Sequence, residues 1–177
     1  MQRVNVDGKA RVAPYIPTPR SVMNAVMEES LASRARVFYD LGCGDGRMLV
    51  YAAKHYGLKS IGYEIDEDLC TLAEVNAAYN GVEGLVEVRC ESFYNADLGD
   101  ADIVYAYLFS SILDTLKPVL KTAPVGSRIA VLDLPIPGWL PVRVRRLLDE
   151  SGVPRAIGVY VRGLSDDKRK RPRLNSL

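Results

Sequence analysis

From residue 20 to residue 134 the chain alternates two apolar patterns. One spaces hydrophobic side chains three and four residues apart, which marks a helix with a single buried face. The other gathers them into short unbroken runs, which marks a strand buried on both sides. Residues 20–31 follow the first pattern, with Val22, Val26 and Met27 on one face. Residues 36–40 follow the second and stop at a Gly-rich turn. A helix is then predicted over 46–55, buried through Met48, Leu49, Ala52 and Ala53. A strand over 60–64 and a helix over 66–80 come next, the helix closed by Gly81. Strands over 85–90 and 102–108, a helix over 111–121 and a strand over 128–134 complete the series. Five strands alternating with helices predict an α/β fold whose mainly parallel sheet is covered on both faces. Further on, 142–148 alternates in period two and 156–161 is a plain strand. The pair reads as an antiparallel closing unit with Gly152 and Pro154 in the turn, or with a short helix in place of 142–148. Ahead of the first helix, Pro14, Pro17 and Pro19 predict an extended or turn-rich lead-in. Residues 1–164 form one domain on this reading, and 165–177 a polar tail.

Composition narrows the class. A domain of 177 residues buries roughly 70% of its unfolded surface, enough to fold without a disulfide or a metal. Hydrophobic residues make up 48% of the chain, yet no apolar run approaches the ~20 residues of a membrane span. Met1-Gln2-Arg3-Val4-Asn5 has no apolar signal core. The expectation is a soluble, cytoplasmic monomer with no membrane partner. Cys43, Cys70 and Cys90 are far apart, odd in number and form no CxxC pair, which argues against both a disulfide framework and a zinc site. The net charge of +1 says nothing about partners. The single Gln suggests a hot-living source, whereas the excess of Arg over Lys, 16 to 7, runs against that pattern.

The strongest chemical signal is Asp40-Leu41-Gly42-Cys43-Gly44-Asp45-Gly46, between a predicted strand and a predicted helix. Gly42 and Gly44 let the turn tighten and let the backbone approach a ligand. Ligands of open α/β sheets bind in the crevice at the carboxyl ends of the strands. Arg47 stands where a dinucleotide-binding GxGxxG motif would place its third glycine. The spacing instead resembles the first motif of class I methyltransferases, whose cofactor, S-adenosyl-L-methionine, presents an ammonium there. A carboxylate such as Asp40 repels a pyrophosphate but attracts an ammonium. Glu64 follows Gly42 by 22 positions, at the end of the second strand. A carboxylate only accepts hydrogen bonds, so it suits both hydroxyls of a ribose. Nicotinamide-binding proteins use the same device, so Glu64 alone leaves the cofactor open. Cys90-Glu91-Ser92-Phe93 ends the third strand, where the adenine is expected. Many methyltransferases carry Asp at the position of Ser92. Ser92 still offers a hydroxyl and Phe93 a backbone N–H, while Glu91 reads equally as a contact or an exposed charge.

Three further stretches carry a closer resemblance: Pro14-Tyr15-Ile16-Pro17-Thr18-Pro19, Gly62-Tyr63-Glu64-Ile65, and Leu116-Lys117-Pro118 after the fourth strand. Together with Tyr39 to Arg47 they resemble the archaeal broad-specificity protein lysine methyltransferases and their mitochondrial relatives, over residues 14–163. The resemblance implies a Rossmann-like class I methyltransferase fold, S-adenosyl-L-methionine as cofactor, and exposed lysines of proteins as substrate. It also implies that the lead-in folds over the cofactor, with Tyr15 and Thr18 lining the site and Ile65 beside Glu64. The relatives tend to carry Asn where Ser92 stands.

The segment Tyr105-Ala106-Tyr107-Leu108-Phe109 occupies the usual acceptor position. It lacks the Asn/Asp-Pro-Pro-Tyr/Phe motif of DNA- and glutamine-directed methyltransferases. Aromatic rings suit a lysine, whose stem they desolvate and whose cation they attract. Tyr105 is the candidate for positioning it, with Tyr107 assigned to the core. No residue stands out as a general base, and His55 reads as surface or packing. Lys168-Arg169-Lys170-Arg171-Pro172-Arg173 could attract nucleic acid, but Asp166 and Asp167 precede it and no aromatic interrupts it, so it reads as a solvated tail. The competing readings are a methyltransferase of RNA or of a small molecule, a nicotinamide oxidoreductase, and a non-catalytic nucleic-acid-binding protein. The oxidoreductase is weakened by the glycine spacing and the absence of a Tyr-x-x-x-Lys pair.

Overall fold

The computed structural model describes residues 15–166, so Pro14 and the basic run at 168–173 lie outside the described residues. The elements in chain order are α1 (Arg20–Glu29), β1 (Val37–Leu41), α2 (Arg47–Tyr56), β2 (Lys59–Glu64), α3 (Glu67–Tyr79), β3 (Val86–Cys90), β4 (Ile103–Ala106), α4 (Ser110–Leu120), β5 (Arg128–Leu132), β6 (Arg143–Leu148) and β7 (Pro154–Val161). One seven-stranded sheet holds them in the order β3-β2-β1-β4-β5-β7-β6. The first five strands pair in parallel; β7 runs antiparallel to β5 and to β6. This is the predicted α/β sheet with its antiparallel closing pair. Residues 143–148 are strand rather than helix, and Pro154 opens β7 instead of lying in the turn before it.

Period-two alternation divides the core. Tyr39, Leu41, Val104 and Ala106 face the side covered by α4, with Leu113 and Leu116. Phe38, Ile103 and Tyr105 face α1 and α2, with Val22, Val26, Met27, Met48 and Leu49. Because Asp40 lies between Tyr39 and Leu41, it shares the second face, and it pairs in register with Gly62 on one side and Tyr105 on the other. The sheet thus places a carboxylate and a phenol next to each other beneath the lead-in. No helix joins β5 to β6; Ile136 and Trp139 cover the sheet there, with the Ile136 N–H donating to the Tyr160 hydroxyl at 3.1 Å.

Of the four α-helices, α3 alone starts on a side-chain cap from its own N-cap residue. Asp66 caps α3 by accepting from the N–H groups of Asp68 and Leu69. The start of α1 has no such residue. Its Arg20 and Ser21 N–H groups donate instead to Glu150, from the β6–β7 turn (3.0 and 3.2 Å). A tertiary cap of this kind ties α1, and hence the lead-in, to the antiparallel end of the sheet.

Two sequence expectations are corrected. Cys70 on α3 and Cys90 at the end of β3 form a disulfide, leaving the buried Cys43 as the free thiol among the described residues. Their separation of 20 positions gave no hint, because it is the β2–α3–β3 crossover that brings the helix back over the strand. The first residues of the expected polar tail also belong to the fold: Ser165 is buried and accepts from the Val161 N–H, and Asp166 pairs with Arg162. None of the described helices is long and apolar enough to cross a membrane.

Candidate active site

The strand order reverses between β1 and β4, since β1 leads outward to β2 and β4 leads outward to β5. A crevice opens at the carboxyl ends of strands at such a point. Here it is lined by residues from the lead-in, the β1–α2 turn, the end of β2, Phe93 and the segment after β4.

The β1–α2 turn is pinned to β2, as the N–H groups of Gly42 and Cys43 donate to the Tyr63 carbonyl at 2.8 and 3.0 Å. Two of its glycines are required by their neighbours. At Gly44 (φ +55°) a Cβ would sit 2.5 Å from the Tyr15 ring, so the ring lies directly on the turn. At Gly46 (φ +73°) a Cβ would meet that of Ala73 at 2.7 Å, so this glycine lets α2 lie against α3. Glu64 closes the turn from the far side. Its carboxylate accepts from the N–H groups of Gly44 (3.0 Å), Ile65 (2.8 Å) and Asp66 (3.0 Å), which fixes it at the cleft edge.

Asp40 sits at the floor, only 3% exposed. No hydrogen bond reaches its carboxylate from any described residue. Burial, and then the nearby carboxylates of Glu64 and Asp45, push its pKa well above the ordinary Asp range. A buried carboxylate without a donor is costly unless something cationic faces it.

Above the floor the lead-in is clamped down. Arg47 donates from Nε to both Asp45 oxygens (3.0 and 3.1 Å) and from Nη2 to Oδ2 (2.7 Å). The same guanidinium reaches the Thr18 carbonyl at 3.3 Å and the Tyr15 hydroxyl at 3.5 Å. Burial alone would raise the Asp45 pKa, but the Arg47 guanidinium outweighs it and holds the carboxyl below its usual range. The Thr18 hydroxyl meets the Tyr105 hydroxyl at 2.8 Å, across 87 positions of chain.

Of the residues singled out from sequence, Tyr15, Thr18, Asp40, Gly42, Gly44, Glu64, Ile65, Phe93 and Tyr105 all line this cleft. Ser92 and Glu91 do not. Ser92 accepts from the Tyr94 N–H (3.3 Å) and so caps its own turn, and Glu91 is exposed beside Asn95. Tyr105 is buried to 1% exposure, while Tyr107, assigned to the core from sequence, is the half-exposed ring of the two. Sequence reasoning passed over Asp45, Met48 and Leu69 and valued Arg47 only as a missing glycine. A charged pair inside a Gly-rich turn was the available signal.

The family profile described as the ANTKMT methyltransferase domain matches residues 40–143. The chain belongs to that methyltransferase family. A protein-lysine N-methyltransferase of Saccharolobus islandicus (strain REY15A) is 33% identical over 152 residues, 85% of this chain and 94% of that protein. The adenine nucleotide translocase lysine N-methyltransferase of Mus musculus is 34% identical over 134 residues, 74% of this chain and 57% of that longer protein. Among solved structures, an RNA methyltransferase from Salinibacter ruber in complex with S-adenosyl-L-homocysteine superposes with a TM-score of 0.75 at 32% identity, covering 86% of this chain and 98% of that one. The methyltransferase is S-adenosylmethionine-dependent, and its cleft suits that cofactor. Asp40 lacks a hydrogen-bond donor among the described residues, and the Glu64 carboxylate is held at the end of β2 by three backbone N–H groups.

Proposed function

We propose that the methyltransferase transfers methyl groups to lysine side chains of proteins. The observation that carries this reading is the charge of the cleft, which holds three carboxylates, Asp40, Asp45 and Glu64, against one guanidinium, Arg47. The cofactor brings two positive centres and one negative, so the loaded cleft remains negative. Such a cleft attracts an alkylammonium and repels a phosphate backbone. The lysine-directed relatives from Saccharolobus islandicus and Mus musculus support the same substrate.

Bound cofactor supplies a methyl group activated by a positive sulfur. The residues of this chain align an amine with it and exclude water. Alignment of this kind is worth up to roughly 7–11 kcal/mol in favourable cases. Tyr15 and Thr18 roof the cleft and Tyr105 holds Thr18, so on this reading Tyr105 takes an indirect part in positioning the acceptor. The acceptor must enter as a neutral amine. An ordinary lysine has a pKa of ~10.4, so the aromatic lining lowers the cost by desolvating it. Rate should therefore rise with pH until another group limits it.

We place the protein in an archaeal cytoplasm on this reading, because disulfides persist inside the cells of hyperthermophilic archaea and a Gln-poor composition belongs to hot-living proteins. A second reading, methylation of RNA, draws on the Salinibacter ruber structure and on the basic run at 168–173. The two are separated by incubating the protein with methyl-labelled cofactor, a mixture of basic proteins and an RNA pool, then mapping the label by mass spectrometry. Methyl-lysine scattered over several proteins is the expected result. Label confined to RNA would overturn the first reading in favour of the second.

A further inference from the structure

A group of ionised side chains outside the cofactor cleft meets it at one point. Asp133 directly follows β5 and has a φ of +64°, a left-handed conformation uncommon for a residue other than glycine. Its backbone is locked to β7: its N–H donates to the Ala156 carbonyl (2.7 Å), and its Oδ1 accepts from the Ala156 N–H (3.1 Å). Its Oδ2 accepts from Arg155 Nη1 (2.7 Å) and from the Tyr107 hydroxyl (3.1 Å). Arg155 also donates to the Tyr107 hydroxyl (3.0 Å) and, through Nε, to Asp149 (2.8 Å), which itself accepts from the N–H groups of Ser151 and Val153. One guanidinium thus serves two carboxylates within this group, so its excess negative charge lies on the Asp133 side, with Arg146 across the adjoining groove.

Its position gives that charge a use. Tyr107 lines the cofactor cleft. Asp133 lines a separate shallow groove with Leu134, Pro135, Val144, Arg146 and Gly158, over the part of the sheet that no helix covers. The Tyr107–Asp133 hydrogen bond is where the two hollows adjoin. The Asp133 side chain is 24% exposed, and three donors leave its carboxylate with acceptor capacity to spare.

We propose that the groove receives the acceptor polypeptide and that Asp133 and Tyr107 bind the substrate ammonium on its way into the cleft. The proposal rests on the lysine reading above. Asp133 offers the charge and Tyr107 the ring face, a pairing suited to an alkylammonium. Arg155 is a positioning residue that turns the Asp133 carboxylate toward the junction. The amine sheds its proton to water at this exposed mouth. Its lone pair then bonds the methyl carbon as the carbon–sulfur bond breaks, with that electron pair remaining on sulfur.

The test compares wild type with Asp133→Asn, which tolerates the same left-handed backbone, and Tyr107→Phe, which keeps the ring. Each is assayed for methylation of a lysine-containing peptide, and titrated calorimetrically with that peptide in the presence of S-adenosyl-L-homocysteine. A peptide with Gln in place of Lys is the control. Asp133→Asn should raise KM and the peptide Kd by about tenfold or more, the scale of a lost charged hydrogen bond, with a smaller change in kcat. Tyr107→Phe should shift both constants in the same direction by less. Asp133 does not line the cofactor cleft, so Asp133→Asn should keep near-wild-type affinity for S-adenosyl-L-homocysteine, and circular dichroism should show it folded. Arg155→Gln should raise KM likewise, and Arg155→Lys should restore part of the loss. Wild-type KM and Kd in Asp133→Asn, or an equal loss with the Gln peptide, would overturn the proposal while leaving lysine methylation standing. If wild type itself labels RNA and no lysine, the lysine reading fails first and this one falls with it.

Discussion

Asp40 shows at the scale of one residue how stability is exchanged for binding. Burial raises its pKa, with Glu64 and Asp45 adding to the rise, so its charged form is the disfavoured one in the cofactor-free fold. A carboxyl raised in the folded state contributes its full stability only below its unfolded pKa, ~3.9, and loses it as pH climbs through the raised value. The cofactor-free protein should therefore weaken relative to an Asp40→Asn variant as pH is taken from about 4 to 8. With cofactor present the order should reverse, because an ammonium partners the ionised carboxylate and an amide does not. Melting curves at several pH values, with and without S-adenosyl-L-homocysteine, check both signs; parallel curves would mean that Asp40 does not face the ammonium. Glu64→Ala should weaken cofactor binding by about 1.5–3 kcal/mol, the worth of hydrogen bonds to a charged acceptor. Isothermal titration with S-adenosyl-L-homocysteine measures that loss directly. The placement of both near the carboxyl ends of strands beside the Gly-rich turn was legible in the sequence. Ser92 lies outside the cleft lining, for a local reason. Its hydroxyl had a local alternative, the N–H two residues on, and such short-range bonds leave no mark on a hydrophobicity pattern.

Among the elements, the lead-in has the most consequence for its length. Its Tyr15 ring occupies the space beside Gly44, its Thr18 meets Tyr105, and Arg47 reaches across to both. Two changes should act on it alike. Deleting residues 1–19 should leave a folded sheet, since the first N–H groups of α1 donate to Glu150, yet lower cofactor affinity. Gly44→Ala should do the same from the other side, because a Cβ there displaces the ring and φ +55° strains it. Calorimetry on both proteins, with circular dichroism as the folding check, should find affinity reduced by about tenfold or more with helix content retained. Full affinity in both would make the segment a packing element only. The strands and helices of the parallel half were readable from periodicity to within about two residues, the usual precision of such boundaries. The antiparallel half was less so: β6 is an edge strand whose exposed Arg143, Val144 and Arg146 mix charge with apolar side chains, which leaves a helix open as an alternative. The cap on α1 could not have been foreseen at all, because its acceptor lies 130 positions away.

On the scale of the whole molecule, the parallel half of the sheet ends in β3, an edge strand whose residues are only partly buried or exposed. Its carboxyl end carries Phe93 into the cofactor cleft, and the opposite wall, Glu64 and Ile65, leads into α3. The Cys70–Cys90 disulfide joins these two walls, with Cα atoms 5.8 Å apart. Cysteine counting missed it because an odd number spread over distant positions says nothing about which elements a crossover will stack. Closing a loop of 20 positions restricts the unfolded chain and should stabilise the fold by about 3 kcal/mol. Cys70→Ser with Cys90→Ser, or reduction by excess dithiothreitol, should remove that amount without dismantling the parallel core, most of which lies on the other side of β2. Because the bridge ties together two walls of one cleft, its loss should weaken cofactor binding along with stability. If the walls still close without the bridge, saturating cofactor should stabilise the Cys70→Ser/Cys90→Ser protein as much as it stabilises wild type; if they do not, the cofactor-induced rise in melting temperature should shrink. The hydrogen bonds of the β1–α2 turn hold Glu64 and α3 but do not reach the Phe93 side, so the smaller rise is the expected outcome. Urea denaturation of both proteins, with and without S-adenosyl-L-homocysteine, gives the two quantities separately. An unchanged cofactor increment alongside a stability loss of about 3 kcal/mol would leave the disulfide as a staple of the fold and remove it from any account of the cleft.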